Sequence, residues 1–253
     1  MNNALVIIPT YNEKENIELI LKAVFSLAYT FDVLVVDDNS PDGTADIVKN
    51  MITQLEGTKA GNRLHILERE GKLGLGTAYI AGFKFGLKKG YTYLIEMDAD
   101  FSHDPKDLIP LLEACLKEGA DVSVGSRYVT GVNVVNWPLS RVLLSYLASK
   151  YVRIITGIEI MDTTAGYVCW NRKVLERINL DKIKFIGYAF QIEMKFLAVK
   201  FGFKVKEVPI IFYDRTRGTS KMSGGIIKEA LFGVIKLKWA ELIGKLPDNQ
   251  KSN

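Results

Sequence analysis

Asp98-Ala99-Asp100 is the stretch of this chain most able to do chemistry. Tyr93-Leu94-Ile95 are β-formers, and if the strand they open persists to Asp100, its two-residue period points Asp98 and Asp100 the same way. Two carboxylates on one side of a strand end repel each other unless a cation lies between them. All-oxygen ligands of this kind suit Mg²⁺ or Mn²⁺, which in turn hold phosphates. The plain alternative is a pair of solvated aspartates in a turn closed by Asp104-Pro105. Other polar residues follow other apolar runs, Tyr11 and Glu13 after one and Asp37 and Asp38 after another, and this clustering favours a site.

These residues need a scaffold that gathers loops at one edge. The solid apolar runs Ala4–Ile8 and Phe31–Val36 predict strands buried on both faces, followed by strands at Leu64–Leu67, Tyr93–Met97 and Asp121–Gly125. Helical periodicity fills the gaps at Lys14–Ala28, Thr44–Leu55, Ala78–Lys88 and Asp107–Lys117. Strands alternating with helices predict an α/β fold with a mostly parallel, Rossmann-like sheet flanked by helices, and such sheets bind ligands outside the carboxyl ends of their strands. Later elements are a helix at Leu139–Thr156, a strand at Tyr167–Trp170, a helix at Tyr188–Lys200, a strand at Lys204–Phe212 and a last helix at Gly225–Gly244. The Leu139–Thr156 helix is apolar over most of its circumference with cations near its ends, which fits either a core helix or one lying on a membrane surface. The last helix, with Ile227, Leu231, Val234, Ile235 and Leu242 on one side, leaves the same two readings open.

Composition narrows the classes. A chain of 253 residues with 48% hydrophobic and 25% charged residues can bury a full core. The net charge of +4 has no basic block, which mildly favours anionic small partners or an anionic membrane surface and points away from nucleic acid. Cys115 and Cys169 lack metal or redox spacing and read as buried free thiols in a reducing compartment. Two histidines, His65 and His103, make a histidine zinc site a poor fit. The first residues do not spell a signal peptide, and no run of eighteen uncharged apolar residues predicts a membrane span. Gly71–Thr77 lacks the Gly-Lys-Ser/Thr ending of a P-loop. Tyr79 stands where a dinucleotide fingerprint needs its third glycine, which argues against an oxidoreductase. That loop is either a flexible helix start or a place where Lys72 and backbone amides approach a phosphate.

Four motifs taken together resemble a known family. Val6–Glu13 (VIIPTYNE), Val35–Thr44 (VVDDNSPDGT), Met97–Pro105 (MDADFSHDP) and Gly125–Tyr128 (GSRY) are similar to the inverting GT-A glycosyltransferases. Ser140-Arg141 and the loop carrying Arg215, Ser220 and Lys221 narrow the likeness to the polyprenol-phosphate (dolichyl-phosphate) mannosyltransferases. The resemblance implies a GT-A catalytic domain over residues 1–225, with a nucleotide half at about 1–128 and an acceptor half at about 129–225, followed by an amphipathic helix and tail at 226–253. It implies that Pro9, Tyr11, Glu13, Val36 and Asp38 hold the nucleoside of GDP-mannose. Asp98, Ala99 and Asp100 would bind ribose, pyrophosphate and the Mg²⁺ or Mn²⁺ ion, with Ser102 at a further metal position where some members carry glutamine. Arg127, Arg141, Arg215 and Lys221 would surround the donor pyrophosphate and the phosphate of a polyprenyl or dolichyl acceptor. The expected location is the cytoplasmic face of a membrane, reached through amphipathic helices or a small membrane-anchor subunit. The rival readings are a related transferase using UDP-glucose or another acceptor, and a non-catalytic nucleotide-sugar sensor.

Overall fold

The computed structural model describes residues 3–58, 61–187, 189–214 and 225–249, without side chains for 225–230. Its centre is a seven-stranded sheet in the order β3-β2-β1-β4-β7-β5-β8. The strands are β1 (Ala4–Thr10), β2 (Asp32–Asp37), β3 (Leu64–Glu68), β4 (Tyr93–Glu96), β5 (Val122–Ser126), β7 (Val168–Asn171) and β8 (Val205–Pro209). A separate two-stranded ladder joins β6 (Val134–Val135) to β9 (Phe212–Tyr213). The helices are α1 (Ile17–Phe25), α2 (Thr44–Leu55), α3 (Leu75–Lys89), α4 (Leu108–Leu116), α5 (Leu139–Thr156), α6 (Arg172–Arg177), α7 (Ala189–Lys200) and α8 (Gly225–Leu242).

The expected mostly parallel sheet forms, and its buried strands are the solid apolar runs. Every residue of β2 is buried, and β1 is buried apart from Pro9. Two hydrophobic clusters cover the two faces: Leu5 and Ile7 point into one and Val6 and Ile8 into the other, as a period of two requires. Helix α3 lies close on the sheet because it presents glycines: a Cβ on Gly82 would lie 2.5 Å from Ile7 Cγ2, and one on Gly86 2.4 Å from Leu94 Cδ2. Cys115 and Cys169 are buried free thiols, as expected.

Four features depart from the sequence reading. β4 stops at Glu96, so Asp98 and Asp100 are held by a turn and not by strand alternation. β7 runs antiparallel between β4 and β5, pairing Glu96 with Val168 and Val124 with Val168. The strand expected over Lys204–Phe212 breaks at Ile210-Ile211 into β8 and β9, because Ser126 and Asn133 carbonyls take the amides of Ile210 and Phe212 in turn. The last helix is apolar on two faces: Val234 and Leu237 are buried, while Phe232, Ile235, Trp239 and Leu242 are exposed. Arg215 and Lys221 lie outside the described residues.

Candidate active site

The loops after β1 and β2 are pinned to each other. Thr10 Oγ1 donates to Asp37 Oδ1 at 2.7 Å, and Ser40 N donates to Asp37 Oδ2 at 2.8 Å. Asp37 is therefore a fully buried structural acceptor, and Asp38, also buried at 6% exposure, turns instead to Arg69. The amides of Asn12, Glu13 and Lys14 donate to Ser40 Oγ, Thr44 Oγ1 and Asp42 Oδ2, each at 3.0 Å. Asp42 also accepts from Thr44 N, turning the chain into α2 after Gly43, whose φ of 88° favours glycine. Asp38 meets Arg69 at 2.6 Å, and Arg69 continues to Thr77 Oγ1 at 2.8 Å. Burial raises the Asp38 carboxyl above its ordinary value against the pull of Arg69. Lys72 Nζ lies 5.0 Å from the centre of the Tyr11 ring, so the glycine-rich loop leans onto the first motif. Tyr11, Glu13 and Asp38 thus share one edge. Pro9 and Val36 are partners in the β1–β2 register, and the Val36 side chain is buried in the core, leaving only its backbone for a ligand. Arg69, which joins this edge to the loop before α3, carries no motif of its own in the sequence.

Next along the sheet, the turn after β4 sets the two carboxylates. Asp100 Oδ1 accepts from Ser102 N at 3.0 Å, and the Asp98 amide donates to His103 Nδ1 at 3.2 Å. Phe101 between them has a φ of 60°, the left-handed conformation that makes this tight turn. Tyr79 from α3 donates to Asp98 Oδ1 at 3.3 Å. Ala99 is buried in the core, so only its backbone is available to a ligand. Ser102 is buried and orients Asp100 through its amide. His103 stacks on Tyr167, and burial pushes its pKa down to about 4, so it is neutral at physiological pH.

Opposite this turn lies the segment that leads into β7. Asp162 accepts from Arg127 at 2.7 Å through both carboxylate oxygens, and Thr164 Oγ1 takes another guanidinium proton at 2.8 Å. Burial works to raise the Asp162 pKa, and the charge and hydrogen bonds of Arg127 outweigh it and leave it lowered. Arg127 also lies 5.3 Å from the centre of the Trp137 ring, and Arg141 covers the same indole at 4.0 Å. Arg141 pairs with Asp214 at 2.8 Å. Beneath this layer, Gln191 Nε2 and Trp170 Nε1 donate to the two oxygens of buried Glu96. Lys195, fully buried, donates to the carbonyls of Thr163 at 3.3 Å and Ala165 at 2.6 Å. Burial pushes Glu96 up to about 7 and Lys195 down to about 8.

These groups border one cavity of about 460 Å³. Asp98, Asp100, Ser102, Arg127 and Arg141 all line it, together with His103, Thr164, Gly166 and Gln191. Its other end is apolar, walled by Leu144, Leu147 and Val152 of α5, Ile192 of α7, and Leu231 and Val234 of α8. Beyond that wall α5 and α8 present Leu143, Ile154, Phe232, Trp239 and Leu242 to the outside, with Trp239 63% and Ile154 71% exposed. A cavity that is charged at one end and greasy at the other fits an amphiphile. Among the described residues no helix is long and apolar enough to cross a membrane.

The lining also tests whether a divalent cation suits the site. Three lining carboxylates, Asp98, Asp100 and Asp214, stand against two guanidiniums, Arg127 and Arg141. A polyanion entering here needs more positive charge than these side chains supply. Among the described residues no group of three or more His, Cys, Asp or Glu forms a metal cage. Two carboxylates with the remaining positions left to phosphate oxygens and water are the usual way Mg²⁺ is held, so the residues fit such an ion.

Comparison with known proteins agrees with this geometry. A family model described as glycosyl transferase family 2 matches residues 5–178. A polyprenol monophosphomannose synthase of Mycolicibacterium smegmatis is 48% identical over 230 residues, covering 91% of this chain and 84% of the relative. An undecaprenyl-phosphate mannosyltransferase of Micrococcus luteus is 45% identical over 246 residues, covering 96% of this chain and 98% of the relative. Among solved structures, glucosyl-3-phosphoglycerate synthase of Mycobacterium tuberculosis in complex with Mn²⁺, UDP and glucosyl-3-phosphoglycerate superposes with a TM-score of 0.65 at 17% identity, covering 98% of this chain and 82% of that one. The same enzyme with Mg²⁺ and UDP gives 0.64 at 15% identity, covering 98% and 81%. These structural neighbours share the GT-A fold.

Proposed function

Because the chain belongs to glycosyl transferase family 2, we propose that it moves mannose from GDP-mannose to a polyprenyl phosphate, with inversion at the anomeric carbon. The observation that carries this reading is the cavity that joins Asp98 and Asp100 to an apolar wall built from α5, α7 and α8. A phosphate on an isoprenoid chain needs that combination, and a soluble sugar acceptor does not. The names of both mannosyl-transferring relatives support the same choice.

The residues divide the work by position. Tyr11, Glu13 and Asp38 hold the nucleoside, with Arg69 fixing the Asp38 carboxylate. Asp98 and Asp100 face the donor diphosphate and would hold the divalent cation. That ion, when bound, would offset charge developing on the leaving nucleoside diphosphate. Arg127 is locked by Asp162 and Thr164, so it offers a fixed positive edge to the diphosphate with little reorganisation. Arg141 faces the acceptor phosphate, which competes with Asp214 for its guanidinium. One acceptor oxygen attacks the anomeric carbon as the bond to the diphosphate oxygen breaks, so a single displacement inverts that centre. A phosphate monoester has a second pKa of about 6 and is mostly dianionic at neutral pH, so it needs no strong base. Burial lowers the His103 pKa to about 4 and makes it a weak base, in keeping with that chemistry.

The test is to incubate the protein with Mn²⁺ or Mg²⁺, a short polyprenyl phosphate, and labelled GDP-mannose, UDP-glucose or UDP-N-acetylglucosamine in parallel. Lipid-linked mannose from GDP-mannose alone, lost on adding EDTA, is the expected result. Lipid product from a uridine donor alone would overturn the donor, and an EDTA-resistant rate would overturn the metal.

We also propose that the exposed apolar edge of α5 and α8 seats the enzyme on the membrane that carries its acceptor. Burying a Trp or Phe side chain contributes roughly 1.5–3 kcal/mol. Phe232→Glu with Trp239→Glu is therefore expected to weaken binding to anionic vesicles by about 100-fold or more. Both side chains are exposed, so the melting temperature should hold. Unchanged vesicle co-sedimentation of the folded double variant would remove α8 as the anchor.

A further inference from the structure

We infer that the transferred hexose sits in the recess over Gly166, between Gln191 and His103. The inference rests on the glycosyl-transfer reading and supplies what the residues above do not, a place for the sugar ring. Gly166 lies in the wall of the cavity that also contains Asp98 and Asp100. Its φ is outside the left-handed region, so the backbone does not call for glycine there. Packing does not call for it either. A Cβ at this position would meet Gln191 Nε2 at 3.8 Å and His103 Cε1 at 4.0 Å, with no nearer atom. The missing side chain instead leaves room inside the cavity. Gly82 and Gly86 differ, since each is pressed against a neighbouring side chain.

The rim of the recess is chemically suited to hydroxyl groups. The Gln191 amide is fixed in one orientation: Nε2 donates to Glu96 and Oε1 accepts from Lys195 Nζ at 3.3 Å. An amide nitrogen carries two protons, so Glu96 leaves one for a ligand. His103 Nδ1 accepts from the Asp98 amide, which places the proton of the neutral ring on Nε2. Two N–H donors beside a bare backbone suit the oxygen-rich edge and flat face of a hexose, and suit an isoprene unit poorly. His103 also links the recess to the Asp98 turn, which keeps the sugar next to the diphosphate that leaves it. The wall itself is stiff, because buried Lys195 holds the carbonyls of Thr163 and Ala165 on the approach to Gly166.

Gly166→Ala tests this. The new methyl meets only ordinary contact distances, so the melting temperature and the affinity for the free nucleoside diphosphate with Mn²⁺ should match the unsubstituted protein. The kcat/KM for sugar transfer should fall about tenfold or more, and titration calorimetry should show a matching loss of affinity for the nucleotide sugar. Unchanged transfer by the alanine variant overturns the recess and leaves the transfer reading standing. Equal losses for the nucleoside diphosphate and the nucleotide sugar also overturn it, because the effect would then not belong to the sugar. If the unsubstituted protein transfers no hexose from any of the three donors, the transfer reading falls and the recess with it.

Discussion

Asp100→Ala lowers sugar transfer by about 10³-fold or more, an expected loss of roughly 4 kcal/mol of transition-state stabilisation. The size of the effect follows from charge. The described lining of the cavity carries more carboxylates than guanidiniums, and the substrates bring at least two phosphate groups to it. Without the ion those groups repel each other and the lining. Asp100 is the more committed of the two carboxylates, buried and fixed by the Ser102 amide, whereas the Asp98 side chain is 37% exposed. Removing Asp100 leaves that amide without its acceptor, a cost of about 1–3 kcal/mol to stability that a protein of this size can absorb. The readouts are the transfer rate and the affinity for Mn²⁺, measured separately. A folded variant with near-normal turnover would sink the metal role of Asp100.

Asp162→Ala should be the most destabilising single change near the site. Asp162 is fully buried and Arg127 is almost so, and the two share a bidentate contact at 2.7 Å. Deleting one partner of a buried pair leaves the other charge uncompensated, at a cost of about 3–5 kcal/mol. For a chain of this length that lowers the melting temperature by roughly 6–20 °C. The double variant Arg127→Met with Asp162→Leu should recover much of the loss in stability and none of the activity, since it removes both charges together. The pair also sets a direction in pH. The Asp162 pKa is depressed, so its contribution is present above the ordinary carboxylate value of 3.8 and disappears as the pH falls through the lowered one. A melting temperature for Asp162→Ala within about 2 °C of the unsubstituted protein would show that the pair is not a net source of stability.

The sequence was most legible where burial was simplest. Strands β1 and β2 are covered on both faces, so they read as unbroken apolar runs, and the acidic loops that follow them are conspicuous. Asp98 and Asp100 could be found as a local pair, although the strand was expected to carry them and a turn that passes on through left-handed Phe101 does so. Direction is invisible to periodicity, which is why the reversed β7 gave no sign of itself. The two-residue strands β6 and β9 are too short to show any period. The deepest part of the site was hidden for another reason. Gln191, Glu193 and Lys195, spaced two apart, lie around the helix and mark no single face, yet α7 is buried from Ala189 to Ala198 and these polar groups satisfy one another and nearby loops. Asp162 and Arg127 are 35 positions apart, so no local pattern joins them.

The placement of β7 has a consequence for how the chain is made. β4 has one edge paired with β1, and its other edge waits for β7. β5 has only β7 and β8 as partners. During synthesis, then, the first 126 residues can pair β1 to β4 while β5 has no neighbour and β4 offers an open row of amides and carbonyls. Open edges of this kind invite pairing with other chains. Residues 168–171 fill the place between β4 and β5, and the segment that leads into them, Asp162–Gly166, lies against the Asp98 turn through His103. The cavity is therefore completed late in the chain: the Asp162–Gly166 segment arrives with β7, and the wall supplied by α7 and α8 follows it.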